Sequence, residues 1–183
     1  MLKPGRTFLL AALVGMAGVM VAASAAKAPP SADVQAHELP GGVWITGQVK
    51  PEQLSGLVDR GFRAVVDLRP DGEAADQPGS SRMSQATAAV GLSFTYIPVR
   101  HGTIAADAVD ELGQVLTSSD KPVLLYCGSG RRAARTWALA EASRSDGLDE
   151  AAILRAVREA GQDASELQSD IARRIALRAE TTR

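Results

Sequence analysis

Val123-Leu-Leu-Tyr126 is an unbroken run of four apolar residues, and the residue after it, Cys127, is the only cysteine in a chain of 183. A run this short, with no polar alternation, is the pattern of a strand buried on both faces of a sheet. Gly128-Ser-Gly130 then breaks the extended pattern, and from Arg131 to Ser143 the spacing turns helical, with Ala134, Trp137, Ala138 and Glu141 three and four residues apart. A strand buried on both faces needs strands beside it and helices above and below it. The rest of the chain supplies both. Strands are predicted at Val43–Thr46, Ala64–Leu68 and Phe94–Val99, where Pro98 favours an edge or a strand end. Helices are predicted over Pro51–Arg60, from Ser80 or Ser81 to Val90, over Ala105–Leu116, over Asp149–Ala160 and over Ser165–Ala179, with Ser80 or Ser81 as a cap and Gly61, Gly91 and Gly161 as stops. Strands alternating with helices imply crossover connections, so the fold class is α/β with a mostly parallel central sheet flanked by helices. Such sheets bind ligands at the carboxyl ends of their strands. Cys127 sits at one of those ends.

The chain opens on a charged start containing Lys3 and Arg6, followed by an apolar stretch from Thr7 to Ala22 and the small residues Ala23-Ser-Ala25. These are the parts of a secretory signal, with cleavage expected at 23–25 and a periplasmic destination. The alternative is an uncleaved inner-membrane anchor through residues 7–26, and only then does a membrane enter the picture. Residues 26–37 read as a flexible lead-in, 38–145 as the catalytic domain and 146–183 as C-terminal helices packing on or extending it. An apolar content of 45% suits one domain with a real core, and a formal charge of -1 offers no basic stripe for nucleic acid. The C-terminal arginines alternate with acids, as a solvated helix face does.

Export makes a lone cysteine conspicuous, because an oxidising compartment pairs thiols and this one has no partner. A buried, inert thiol is the bland explanation; the flanking residues favour another. A glycine-rich turn opening a helix aims unpaired backbone N–H groups at one point, where the helix dipole adds positive charge. Gly128 and Gly130 permit positive φ angles, Ser129 offers a hydroxyl, and Arg131 or Arg132 offers a planar fork for two oxygens of an anion. The same field predicts a depressed pKa for the Cys127 thiol. Two reactions suit such a loop: attack on a phosphate ester through a cysteinyl-phosphate, or transfer of sulfane sulfur through a persulfide. Cysteine phosphatases generally space these residues as Cys-x5-Arg, whereas Cys127 and Arg132 give Cys-x4-Arg, a smaller cradle of the rhodanese kind. A non-catalytic oxyanion-binding module is the third reading.

Gly47-Gln48, Pro51-Glu-Gln-Leu54, Gly61 through Glu73, Tyr96-Ile-Pro-Val99, Tyr126-Cys-Gly-Ser-Gly-Arg-Arg132 and Trp137-Ala-Leu139 occur in an order and at spacings that resemble the phosphatase-like domain of beta-lactamase hydrolase-like proteins. That family is similar in fold to the dual-specificity and tyrosine phosphatases. The resemblance implies that the Cys loop is the active site, with Cys127 as nucleophile, Arg132 as the anion-binding arginine, and Gly128, Ser129, Gly130 and Arg131 lining the anion loop. Some family members are fused to sulfide-oxidising enzymes, which keeps sulfur transfer open. Relatives often carry Arg where this chain has Gly128.

A phosphatase also needs a proton donor for the leaving oxygen. Asp67, Asp71 and Glu73 lie on the side where the site is expected, and His101 follows another strand; Asp67 and His101 are the leading candidates. His37 is incidental, and two distant histidines with one cysteine make no zinc site. The chemistry requires no cofactor, and the expected partner is a small anion, a phosphate ester or a sulfane-sulfur donor.

Overall fold

A computed structural model of the chain describes residues 33–181, so the expected leader and most of the lead-in lie outside the described residues. The elements run β1 (His37–Leu39), β2 (Val43–Thr46), a 3-10 turn at Pro51–Gln53, α1 (Leu54–Asp59), β3 (Ala64–Asp67), α2 (Ser80–Ala89) and β4 (Ser93–Tyr96). They continue with α3 (Ala106–Ser118), β5 (Val123–Tyr126), α4 (Arg131–Ser143), α5 (Glu150–Glu159), a second 3-10 turn at Ser165–Leu167, and α6 (Gln168–Thr181). The sheet order is β1-β2-β5-β3-β4, parallel throughout except where β1 pairs antiparallel with β2. β4 is an edge strand and stops at Tyr96, short of the expected Val99, which leaves Pro98 beyond the ladder. β5 lies in the middle, and all four of its residues are buried.

The pleat sends alternate residues to opposite faces. Val66, Leu125 and Cys127 face a core closed by α3, α4, α5 and α6 through Val109, Leu112, Trp137, Ile153 and Ile171. Val65, Leu124 and Tyr126 face a second core closed by Leu54, Leu57 and Met83 from α1 and α2. Those two cores fix β5 rigidly and thereby fix where Cys127 emerges. No helix among the described residues is long and apolar enough to cross a membrane.

Three details depart from the sequence expectations. β1 is a strand without a sequence signal, since three residues after a polar segment carry no periodicity. Residues 33–37 of the expected lead-in lie against the domain: Val34 is buried, its carbonyl accepts from Arg60 Nη1 at 2.6 Å, and Thr46 Oγ1 donates to the Gln35 carbonyl at 2.8 Å. The start of α2 is satisfied not by Ser80 or Ser81 as a cap but by Asp71, whose Oδ1 and Oδ2 accept from Ser80 N and Ser80 Oγ at 2.8 and 2.7 Å. The loop after β3 is therefore tied to the start of α2, and its Glu73 reaches Arg132 beyond the end of β5.

Candidate active site

Cys127 directly follows β5 and is fully buried, with α4 beginning at Arg131. The loop between them is shaped by close backbone approach. Gly130 is the N-cap of α4 in the left-handed region, at φ 85°, and a Cβ there would stand 3.2 Å from Gln162 Nε2 and 3.4 Å from the Thr46 carbonyl oxygen. Only glycine meets both demands without strain. Gly47, bridged to Ser129, leaves equally little room: its Cβ would lie 3.3 Å from the Gly128 carbonyl oxygen. Gly128, by contrast, has no positive φ, contrary to the expectation that both loop glycines need one. A Cβ there would meet Arg69 Nε at 3.6 Å and Arg132 Nη2 at 3.7 Å. The Arg69 guanidinium thus lies where a side chain at position 128 would point.

Arg132 is buried, at 6% exposure, which for an arginine demands a full set of partners. Its Nη1 donates to Glu73 Oε1 and to the Val99 carbonyl, each at 2.7 Å, and its Nη2 donates to Glu73 Oε2 at 2.7 Å. A guanidinium has five N–H donors. These bonds use three and leave Nε–H and the second Nη2–H, one edge of the fork, and the guanidinium also meets the Cys127 side chain. The hydrogen bond from Arg132, outweighing burial and seconded by Arg69, holds the Glu73 carboxyl below its ordinary range, and the same bond raises Arg132. Glu73 is therefore an ionised buttress, with Arg69 Nε at 3.2 Å from its Oε2 and Arg69 Nη1 bonded to Gln48 Oε1 at 2.7 Å.

The proton-donor candidates separate by position. Asp67 pairs in register with Tyr126, on the opposite face of the sheet from Cys127, and its Oδ1 accepts from Arg69 N at 2.9 Å. Burial pushes its carboxyl up to about 6. Asp71 is consumed by Ser80. His101 stands at the mouth of the site, its side chain 82% exposed and Nε2 3.9 Å from Glu73 Oε1. His37 lies in β1, at the edge of the sheet farthest from β4.

A cleft of about 350 Å³ joins these groups, with Gly128, Ser129, Arg131 and Arg132 on one side and Arg69, Glu73 and His101 on the other. Of the four expected loop residues, Gly128, Ser129 and Arg131 line this cleft, whereas Gly130 turns toward Gln162 and the Thr46 carbonyl. Sequence reasoning did not assign roles to Arg69, Gln48, Arg135, Gln162 or Glu166. For Arg69 and Glu73 the signal was present as the run Leu68-Arg-Pro-Asp-Gly-Glu73 directly after a strand end. Gln162 Nε2 donates to the Ser129 carbonyl at 3.3 Å, so the turn after α5 is part of the loop's support.

Residues 38–144 match the family model of the beta-lactamase hydrolase-like protein, phosphatase-like domain. A beta-lactamase hydrolase-like protein of Xylella fastidiosa is 32% identical over 97 residues, which is 53% of this chain and 22% of that protein. The chain thus spans about a fifth of the length of that relative. A putative phosphatase from Neisseria meningitidis superposes with a TM-score of 0.66 at 23% identity, covering 75% of this chain and 96% of the other. The kinase associated phosphatase, in a form whose catalytic site cysteine is substituted by serine, superposes with a TM-score of 0.60 at 15% identity, covering 79% and 97%.

Proposed function

Since the chain belongs to the family of beta-lactamase hydrolase-like protein, phosphatase-like domains, we propose that it hydrolyses a phosphate ester through a cysteinyl-phosphate on Cys127. The observation that carries this reading is the Arg132 fork, held end-on by Glu73 and Val99 with one edge left over the cysteine loop. Two phosphoryl oxygens bind that edge and the N–H groups at the start of α4, and the Cys127 thiolate attacks phosphorus, forming the S–P bond as the P–O bond to the leaving group breaks. His101, protonated, gives its proton to the leaving oxygen. It then takes one from the water that attacks the S–P bond and releases phosphate. Cys127 has no exposed surface, so the phosphoryl group must press the loop open as it binds.

Sulfur transfer is the second reading, favoured by the short Cys-x4-Arg loop. Supplying the purified protein with phosphate monoesters, and separately with thiosulfate plus cyanide or glutathione, separates the two. Ester turnover with a phosphoryl adduct of about 80 Da trapped on Cys127 is the expected result. Turnover of thiosulfate alone, with a sulfur adduct of about 32 Da, sinks the hydrolase reading.

The role of His101 has its own signature. His101→Gln should lower kcat about 100-fold on phenyl phosphate, whose leaving group needs a proton, but less than about threefold on p-nitrophenyl phosphate, whose leaving group does not. Equal losses on both substrates would remove His101 as the acid.

A further inference from the structure

The cleft holds four guanidiniums, and each pair shares a single carboxylate. Glu73 serves Arg132 and Arg69 at the cradle itself. Glu166 serves Arg131 and Arg135 one helix face away, and it does so with a single oxygen: Oε1 lies 3.2 Å from Arg131 Nη2 and 2.9 Å from Arg135 Nε. Each triad has two guanidiniums for one carboxylate in direct contact, with Asp163 as a further negative charge near Arg131. The second triad is the less satisfied of the two, because Arg135 Nε is buried and makes no hydrogen bond of proper geometry despite its 2.9 Å approach to Oε1. Arg131 is 61% exposed and, among the described residues, bonds to Glu166 alone.

Position argues the same way. Arg131 and Arg135 are four residues apart on α4 and share one face, while Arg132 is turned about 100° from Arg131. Arg131 opens α4, where a cation opposes the helix dipole and is costly unless an anion joins it, and Arg135 stands one turn further on. Both line the cleft that receives the reacting phosphoryl group. Glu166, which holds them, lies in the C-terminal segment beyond residues 38–144, the part that matches the family.

We propose that Arg131 and Arg135, bridged by Glu166, form a second anion subsite, and that the substrate carries a second anionic group beside the phosphoryl group that reacts. The substrate class is a bisphosphate ester with its two groups on neighbouring atoms, for which inorganic pyrophosphate serves as the binding probe. This rests on the hydrolase reading for what happens at Cys127, but the binding claim stands apart from turnover. In the first triad a phosphoryl dianion meets the free edge of Arg132; in the second the other anion meets the unspent donors of Arg131 and Arg135, with Glu166 as the internal competitor.

The test is calorimetric titration of the Cys127→Ser protein, which binds without reacting, with inorganic phosphate and with inorganic pyrophosphate. Pyrophosphate should bind at least about tenfold more tightly than phosphate. In Arg131→Gln and in Arg135→Gln that ratio should collapse to about threefold or less. In Glu166→Gln it should rise, a gain that misfolding cannot imitate. Equal affinity for the two anions in the parent, an unchanged ratio in the arginine variants, or a lower ratio in Glu166→Gln would each overturn the subsite. A protein that selects pyrophosphate yet hydrolyses no ester fails the hydrolase reading and keeps the subsite; one that hydrolyses esters without selecting pyrophosphate does the opposite.

Discussion

Cys127→Ser is expected to reduce phosphate-ester turnover to background, a loss of roughly 10⁴-fold or more, while the protein stays folded and still binds inorganic phosphate. On the proposed mechanism the rate falls because the attacking group is a thiolate, and a serine hydroxyl in the same place has neither its charge nor its polarisable sulfur. The fold survives because the change is nearly isosteric at a fully buried position directly after a strand that β2 and β3 hold on both sides. A hydroxyl buried without a partner would cost about 1–3 kcal/mol, but the Arg132 guanidinium meets the side chain at this position and can donate to it. Anion binding persists because its donors lie elsewhere, on Arg132 and the loop backbone. A stopped assay with phenyl phosphate, paired with a melting curve and a phosphate titration, reads all three. Residual turnover above about 1% of the parent would mean that Cys127 is not the nucleophile.

What made this site legible in sequence is that its centre is local. Val123 to Arg132 holds a strand, a tight loop and the start of a helix in ten consecutive residues, and each of those is encoded by neighbours: apolar β-formers, glycines, then helical spacing. The sheet followed from the same logic, since a strand apolar on both faces has few ways to be covered. What was hidden is what the chain brings from far away. Glu73 reaches Arg132 across 59 positions and Glu166 reaches Arg131 across 35, and nothing in a one-dimensional pattern marks which acid among 21 will meet which base among 20. Asp71 was hidden for a related reason. It caps α2 from nine residues upstream, where the capping rules look only at the residue next to the helix. Glu73 shows why a carboxylate near a reactive loop cannot be assigned from its position in the chain alone. Weighed as an acid, it proves to be held ionised by two arginines, which unfits it to donate a proton and suits it to aim Arg132.

Asp67, the other carboxylate on that stretch of chain, carries the largest expected effect on stability. It ends β3 with 1% exposure, and although Oδ1 accepts from Arg69 N, Oδ2 is buried without a well-formed hydrogen bond; the Tyr126 hydroxyl beside it fares no better. Burial raises the Asp67 carboxyl from 3.8 to about 6, and burial together with the nearby Asp67 charge drives the Tyr126 phenol far above its usual range. Between pH 3.8 and about 6 the native state keeps a proton that the unfolded state has lost, so the stability present below pH 3.8 falls as pH rises through that window and stays lost above it. A shift of about two units is worth up to about 3 kcal/mol. Asp67→Asn should recover it at about pH 8, with Tm higher by roughly 5–10 °C, and should change Tm little at about pH 4, where the native aspartic acid is already neutral. The amide keeps Oδ1 for Arg69 N and gives the Tyr126 oxygen the donor that the carboxylate denies it. An equal rise at both pH values, or a fall at the higher one, would show that the buried charge is not what Asp67 costs the fold. The predicted asymmetry also separates two kinds of carboxylate on one short stretch of chain: Glu73, whose charge is neutralised by the arginines it aims, and Asp67, whose burial is offset only by the Tyr126 hydroxyl at poor geometry, one backbone amide and the fringe of Arg69.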